Sequence, residues 1–188
     1  MAADYLRTLF LHPPSREGFD GGAGSRYQAK REIRSFWYPT WLAQPAALVP
    51  GSRLVDAPPD GLTLDDIRPL ARQCDLCVMH TSTPSFPGDI AVAEALKAEN
   101  PRLMIGMVGA AVAVAPGASL EGSRAVDFVA GNEFDFTIQE VAQGRPLRDV
   151  KGLSYRAKGR VAHTPSRPIL ENMDLLPFVT PVYKRDLT

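Results

Sequence analysis

Residues 75–109 read DLCVMHTSTPSFPGDIAVAEALKAENPRLMIGMVG, and their order of patterns decides the fold. The apolar run Leu76 to Met79 ends in a hydroxyl-rich turn. Ile90, Ala93, Leu96 and Lys97 then recur at helical spacing as far as Asn100-Pro101, where proline stops the helix. A second apolar run, Leu103 to Met107, follows at once. Strand, crossover helix and strand make up the repeating unit of a parallel sheet covered by helices.

The same rhythm extends in both directions. Upstream, Leu9-Phe10-Leu11 closes a first strand at His12-Pro13-Pro14, because proline cannot donate to a ladder. A Gly-rich loop is expected from Ser15 to about Arg26, then a helix around Pro39 to Leu48, and a second strand at Arg53 to Asp56. Thr63 with Asp66 three residues on has the form of an N-cap with a first-turn carboxylate, opening a helix with Leu64, Ile67, Leu70 and Ala71 on one face. Downstream, Val126 to Val129 reads as the fifth strand and Phe134 to Gln143 as the last amphipathic helix, closed by Gly144. The expected fold is therefore α/β, a doubly wound, Rossmann-like sheet of flavodoxin type with five parallel strands, ending near residue 147. Residues 148–188 are expected to form a β-hairpin turning at Lys158-Gly159 and an extended, Pro-rich connector.

Composition narrows the function classes. Of 188 residues, 45% are hydrophobic and 22% charged, and 21 Lys+Arg balance 21 Asp+Glu. A neutral chain of this size buries a core without staples and lacks the clustered cations that nucleic acid or anionic membranes require, so no nucleic-acid partner is expected. The most apolar stretch, Leu103 to Ala115, is broken by Gly106 and Gly109 and stopped by Pro116, too short to span a bilayer. The N-terminus carries no signal-peptide pattern, and a cytoplasmic location is the expectation.

Several familiar chemistries fail on inspection. Cys74 and Cys77 match C-x-x-C but lead into a strand, where they point to opposite faces; they read as structural cysteines. Gly22-Ala23-Gly24 is not a dinucleotide fingerprint, since its third glycine falls at Tyr27. A phospho-receiver needs acidic residues after the first and third strands, where this chain has His12-Pro13-Pro14 and His80-Thr81-Ser82-Thr83.

Ligands of doubly wound sheets bind beyond the carboxyl ends of the strands. There the chain offers Thr81, Ser82 and Thr83 after the third strand, Gly106 and Gly109 around the end of the fourth, and Gly131-Asn132-Glu133 after the fifth. Hydroxyls beside positions without a side chain suit a flat or elongated ligand lying against backbone; ordinary turn and cap chemistry accounts for them equally.

Taken together, the strand ending in Pro-Pro, the "VDA" strand, the strand ending in a Ser/Thr cluster, the glycine-bearing fourth strand and "VDFVAGNEF" resemble the N-terminal cobalamin-binding domain of the B12-dependent radical S-adenosylmethionine enzymes. The hairpin "GLSYR…GRV" followed by "RPILENMDLLPF" is similar to the element joining that domain to the radical SAM barrel. The segment Pro13–Leu48 further resembles the hopanoid-biosynthesis members, implicated in forming the cyclitol head group.

The resemblance implies a corrinoid held by this domain, with Thr81, Ser82 and Thr83 at its nucleotide tail, Gly106 and Gly109 letting the tail pass, and Gly131 with Glu133 matching the "GE" after the fifth strand. It also implies a radical SAM barrel on the same polypeptide, carrying a four-iron four-sulfur cluster and S-adenosylmethionine and acting on a hopanoid-type lipid. No residue here is expected to be catalytic or to bind metal. The Cys-x-x-x-Cys-x-x-Cys cluster motif is absent, so the chain alone should be inactive. Asp-x-His-x-x-Gly is also absent, so a corrinoid is expected without that axial histidine; the alternative is a scaffold that binds none.

Overall fold

The computed structural model describes residues 5–14, 19–20, 28–29 and 38–187. The first strand, β1 (Thr8–His12), pairs in parallel with β4 (Arg53–Asp56) on one edge and β5 (Leu76–His80) on the other. β6 (Met104–Val108) and β7 (Phe128–Ala130) continue the parallel ladder. A hairpin of β8 (Leu153–Ala157) and β9 (Arg160–His163) adds antiparallel strands, giving a seven-stranded sheet in the order β4-β1-β5-β6-β7-β8-β9. The five parallel strands and the hairpin are those expected from the sequence. Two-residue strands β2 (Phe19–Asp20) and β3 (Gln28–Ala29) form a separate antiparallel ladder; Gly22-Ala23-Gly24 and the rest of the Gly-rich loop lie outside the described residues.

Helices cover both faces, which is why the strands are apolar throughout. On one face α1 (Thr40–Leu48) and α7 (Asp135–Ala142) bring Leu42, Ala43, Ala46, Ile138 and Val141 against Phe10, Leu54, Val78, Val108 and Phe128. On the other, α3 (Leu64–Ala71), α4 (Phe86–Glu99), α5 (Ala110–Val114) and α6 (Pro116–Glu121) bring Ile67, Val92, Leu96, Val112 and Leu120 against Leu9, Leu11, Met79, Ile105 and Met107. Each fully buried side chain of this size contributes roughly 1.5–3 kcal/mol. The short helix α2 (Ala57–Asp60) follows β4 directly and ends at Gly61 in the left-handed conformation. The expected cap of α3 forms: Asp66 Oδ2 accepts from the Thr63 backbone N–H at 2.8 Å and the Thr63 hydroxyl at 2.6 Å, which holds the Asp66 carboxyl below its ordinary pKa. Asp127, within the "VDF" segment, joins Lys97 Nζ at 2.7 Å and the Ile105 N–H at 2.8 Å, tying α4 to the start of β6.

The C-terminal residues depart from expectation. The segment after the hairpin is not a loose connector; it folds back over the α1/α7 face. Arg167 donates to Thr137 Oγ1 at 2.7 Å and to Glu140 Oε1 at 2.6 Å, and Gln44 Nε2 donates to the Pro177 carbonyl at 3.0 Å. A final helix, α8 (Thr180–Asp186), buries Val182 in the core, places Tyr183 in a stack with Tyr38, and offers Asp186 Oδ2 to the Leu54 N–H at 2.8 Å. Pro165, Pro168 and Pro177 lie in stretches without regular structure, and Pro181 lies in the first turn of α8. Residues 148–188 thus pack on the domain ending near 147, and the expected boundary there does not coincide with a break in packing.

Val182→Ala should therefore lower stability by about 2 kcal/mol, from lost methyl burial plus the residual cavity, and chemical denaturation will measure it. A variant as stable as the natural chain would show that α8 does not hold in solution.

Candidate functional site

The strand order places the reversal of winding at β1, flanked by β4 and β5, and this is where doubly wound sheets take ligands. Side chains alternate along strands, so the residues two beyond Phe10, Leu54 and Val78 emerge on the same face at the carboxyl edge. These are His12, Asp56 and His80. His12 is fully buried, and its Nδ1 meets Asp56 Oδ1 at 2.6 Å. A carboxylate only accepts, so Nδ1 carries the proton. The His80 ring lies 5.7 Å from that of His12, and the Trp41 ring of α1 covers His80 at 5.0 Å. Trp41 Nε1 is a buried donor with no hydrogen-bond partner among the described residues. From the sequence none of His12, Asp56, His80 and Trp41 is placed in a site; the strand parity just described was the available signal.

The hydroxyl cluster lies beside this edge. Thr81 is fully buried and donates to Asp89 Oδ2 at 2.7 Å; Ser85 donates to the same oxygen at 2.8 Å, and the Ser82 and Ser85 hydroxyls are 2.8 Å apart. Asp89, buried in the first turn of α4, thus organises the turn. Ser82 is half-buried and Thr83 exposed, so of the three expected residues these two face outward from the edge.

The glycines separate into two kinds. A Cβ on Gly106 would lie 2.1 Å from the Phe128 ring, whose residue is its register partner on β7. A Cβ on Gly109 would lie 2.2 Å from the Thr81 carbonyl, and Gly109 has φ +118°, where only glycine is unstrained. At both positions the space of a side chain is taken by the protein itself. Gly131, by contrast, has open space where its side chain would be. It borders a groove of about 210 Å³ with Asn132, Ser154 and His163. Glu133 is turned to the chain itself, its Oε2 accepting from the Leu170 N–H at 2.5 Å. It lines a second cavity, of about 460 Å³, with Asp135, Phe136 and Arg167. Ser82 and Thr83 follow the end of β5, while Gly131 and Glu133 follow the end of β7.

Electrostatics agree with structural cysteines. Burial pushes the Cys77 thiol far up and raises Cys74, so neither is a ready thiolate. Among the described residues no group of three or more His, Cys, Asp and Glu is placed to hold a metal, and no helix is long and apolar enough to cross a membrane.

Comparison with known proteins gives a sequence relative and a likeness of fold. No protein-family model matches the chain. Over 182 residues, 92% of the chain, it is 29% identical to an uncharacterized methyltransferase of Pyrococcus horikoshii, and it spans 38% of that protein's length. Its fold matches the radical S-adenosylmethionine methyltransferase TsrM from Kitasatospora setae, a structure with cobalamin and a four-iron four-sulfur cluster bound. The TM-score is 0.62 at 11% identity, over 88% of this chain and 30% of that one, so this is a likeness of fold.

Two predictions follow from packing and charge. Gly106→Ala should destabilise the natural chain but cost much less in a Phe128→Leu background, because leucine withdraws the atoms that the new methyl would strike. A coupling of at least about 1 kcal/mol is expected from a double-mutant cycle, and additive costs would place the ring elsewhere. Burial, aided by Glu133, raises the Asp135 pKa to about 6, above its unfolded value. The folded state then binds the proton more tightly, so this group's contribution falls as pH rises from about 4 to about 6. Asp135→Asn should raise the melting temperature at pH 7 and leave it unchanged at pH 4; equal shifts at both would remove the titration.

Proposed function

We propose that the chain is the corrinoid-binding module of a B12-dependent radical SAM enzyme, with the macrocycle lying across the carboxyl edge at β1 and β5. Trp41 Nε1 is the observation that carries this reading. A buried indole donor left without a partner costs roughly 1–3 kcal/mol, and it stands at the switch point of the sheet, where the carboxamide oxygens that rim a corrin would satisfy it. Thr83, exposed after β5, adds a hydroxyl on the same edge, while the Ser82 hydroxyl is paired with Ser85. The fold likeness to a cobalamin-containing methyltransferase structure and the match to a methyltransferase that is itself much longer support the same reading.

In the parent enzyme we place a radical SAM barrel on the same polypeptide, with a four-iron four-sulfur cluster and S-adenosylmethionine, acting in hopanoid head-group biosynthesis. The sequence resemblance over Pro13–Leu48 supports that branch. A corrinoid supplies methyl-transfer or electron-transfer chemistry when bound; this chain's residues orient it. Asp56 fixes His12, His12 and Trp41 flank His80, and Asp89 fixes the turn that presents Ser82 and Thr83. His12 is buried beneath the edge with its Nδ1 held by Asp56, so it would serve as floor to a bound corrinoid.

A scaffold without corrinoid is the second reading, favoured by the internal engagement of the Thr81 and Ser82 hydroxyls. Mixing the purified chain with hydroxocobalamin and recording the visible spectrum after desalting separates the two. Retained corrinoid is expected, weakened roughly fivefold in Trp41→Phe, which loses the donor but keeps the ring. A folded protein that retains none would establish the scaffold.

A further inference from the structure

We propose that the groove beyond the carboxyl end of β7 binds a neutral polyol ring of about the size of one sugar unit; this stands apart from the corrinoid reading above. Val129, Ser154 and His163 are register partners across β7, β8 and β9, so their side chains lie in one row on the face covered by α3 to α6, opposite to the face that carries Trp41. Val112 of α5 and Pro116 of α6 complete the lining, and the volume is about 210 Å³. That is below the roughly 300–1,000 Å³ of pockets for larger ligands, and it suits a single ring. The backbone around the groove is fixed. The Gly131 N–H donates to the Gly152 carbonyl at 3.2 Å, the Gly152 N–H to the Pro165 carbonyl at 2.9 Å, and the Thr164 N–H to the Leu153 carbonyl at 2.9 Å. Gly131 leaves open space where a side chain would stand.

The hydrogen-bonding groups decide the ligand class. Ser154 is nine-tenths buried, and its Oγ lies 2.7 Å from His163 Nδ1. One proton occupies that contact. If the hydroxyl donates it, the neutral ring carries its own proton on Nε2 and a serine lone pair remains; if the ring donates it, the serine proton remains and Nε2 accepts. In both arrangements the pair keeps one donor and one acceptor for a third group, which is the complement of a hydroxyl. The Asn132 amide and the Ser166 hydroxyl, which make no hydrogen bond among the described residues, likewise both donate and accept. An anion needs donors alone, and an ammonium acceptors alone. No Asp, Glu, Lys or Arg lines the groove, so an ionised ligand would give up water with no opposite charge to meet it. A ring of hydroxyls meets both conditions, with its C–H faces against Val112, Pro116, Val129 and Leu153.

The test follows the backbone amides of the isotope-labelled chain by NMR during titration with D-glucose and D-ribose and, separately, with glycerol and inorganic phosphate. At least one sugar is expected to shift the Gly131, Ser154 and His163 amides saturably, with glycerol about tenfold weaker or worse and phosphate without effect. Gly131→Val puts a side chain into the groove where no other atom approaches, so it should weaken the sugar by about tenfold and leave the melting temperature unchanged. Ser154→Ala loses the hydroxyl and should weaken it by about fivefold. A folded chain whose amides respond to neither sugar would overturn the inference, as would saturation by phosphate or glycerol binding as tightly as the sugars. Undiminished sugar binding in either folded variant would also overturn it, because the ring would then lie elsewhere. None of these results touches the corrinoid reading, which the hydroxocobalamin spectrum decides.

Discussion

Everything in this fold is arranged around β1, whose five residues are all buried and which is bonded in parallel on both edges. Leu9 and Leu11 serve the face under α3 and α4, and Phe10 serves the face under α1 and α7. A central strand packed on two faces and paired on two edges leaves only its end for a polar group. His12 occupies that end, and because the site is dry its imidazole must be hydrogen-bonded, which Asp56 on the adjacent strand accomplishes at 2.6 Å. The first polar contact of the site is thus a consequence of how completely the core is closed beneath it.

The order of elements was legible because it rests on local signals. Apolar runs, helical spacing and the Thr63–Asp66 cap are written within a few residues of one another, and each produced the expected element. The packing of the last segment was not legible. Four prolines between 165 and 181 suggest a connector, yet what anchors that stretch lies far away in sequence: Thr137 and Glu140 for Arg167, Gln44 for Pro177, and Leu54 for Asp186. No local pattern encodes such contacts.

The glycines show the same limit. Gly106 and Gly109 stand out in the sequence as positions without side chains, but why each is glycine depends on a neighbour: the Phe128 ring on the next strand, and the Thr81 carbonyl at the end of another. A missing side chain signals a close approach without saying whether ligand or protein makes it. Here the protein makes both, and Gly131, where nothing approaches, is the glycine that leaves room.

These facts fix where function can reside. With both faces of the sheet filled, binding is confined to the carboxyl edge, and along that edge the polar groups differ in what they still offer. Thr81 is committed to Asp89, His12 to Asp56 and Glu133 to the Leu170 N–H, so each rigidifies a loop or strand end. Ser82 is paired with Ser85, so beside β1 and β5 the buried Trp41 indole donor and the exposed Thr83 are what that frame leaves unengaged among the described residues. A frame whose strand ends and turns are bonded internally is preorganised, and the cost of ordering it is met on folding rather than on binding. Such an edge suits the broad, rigid ligand proposed for it, which would be met by contacts at its rim.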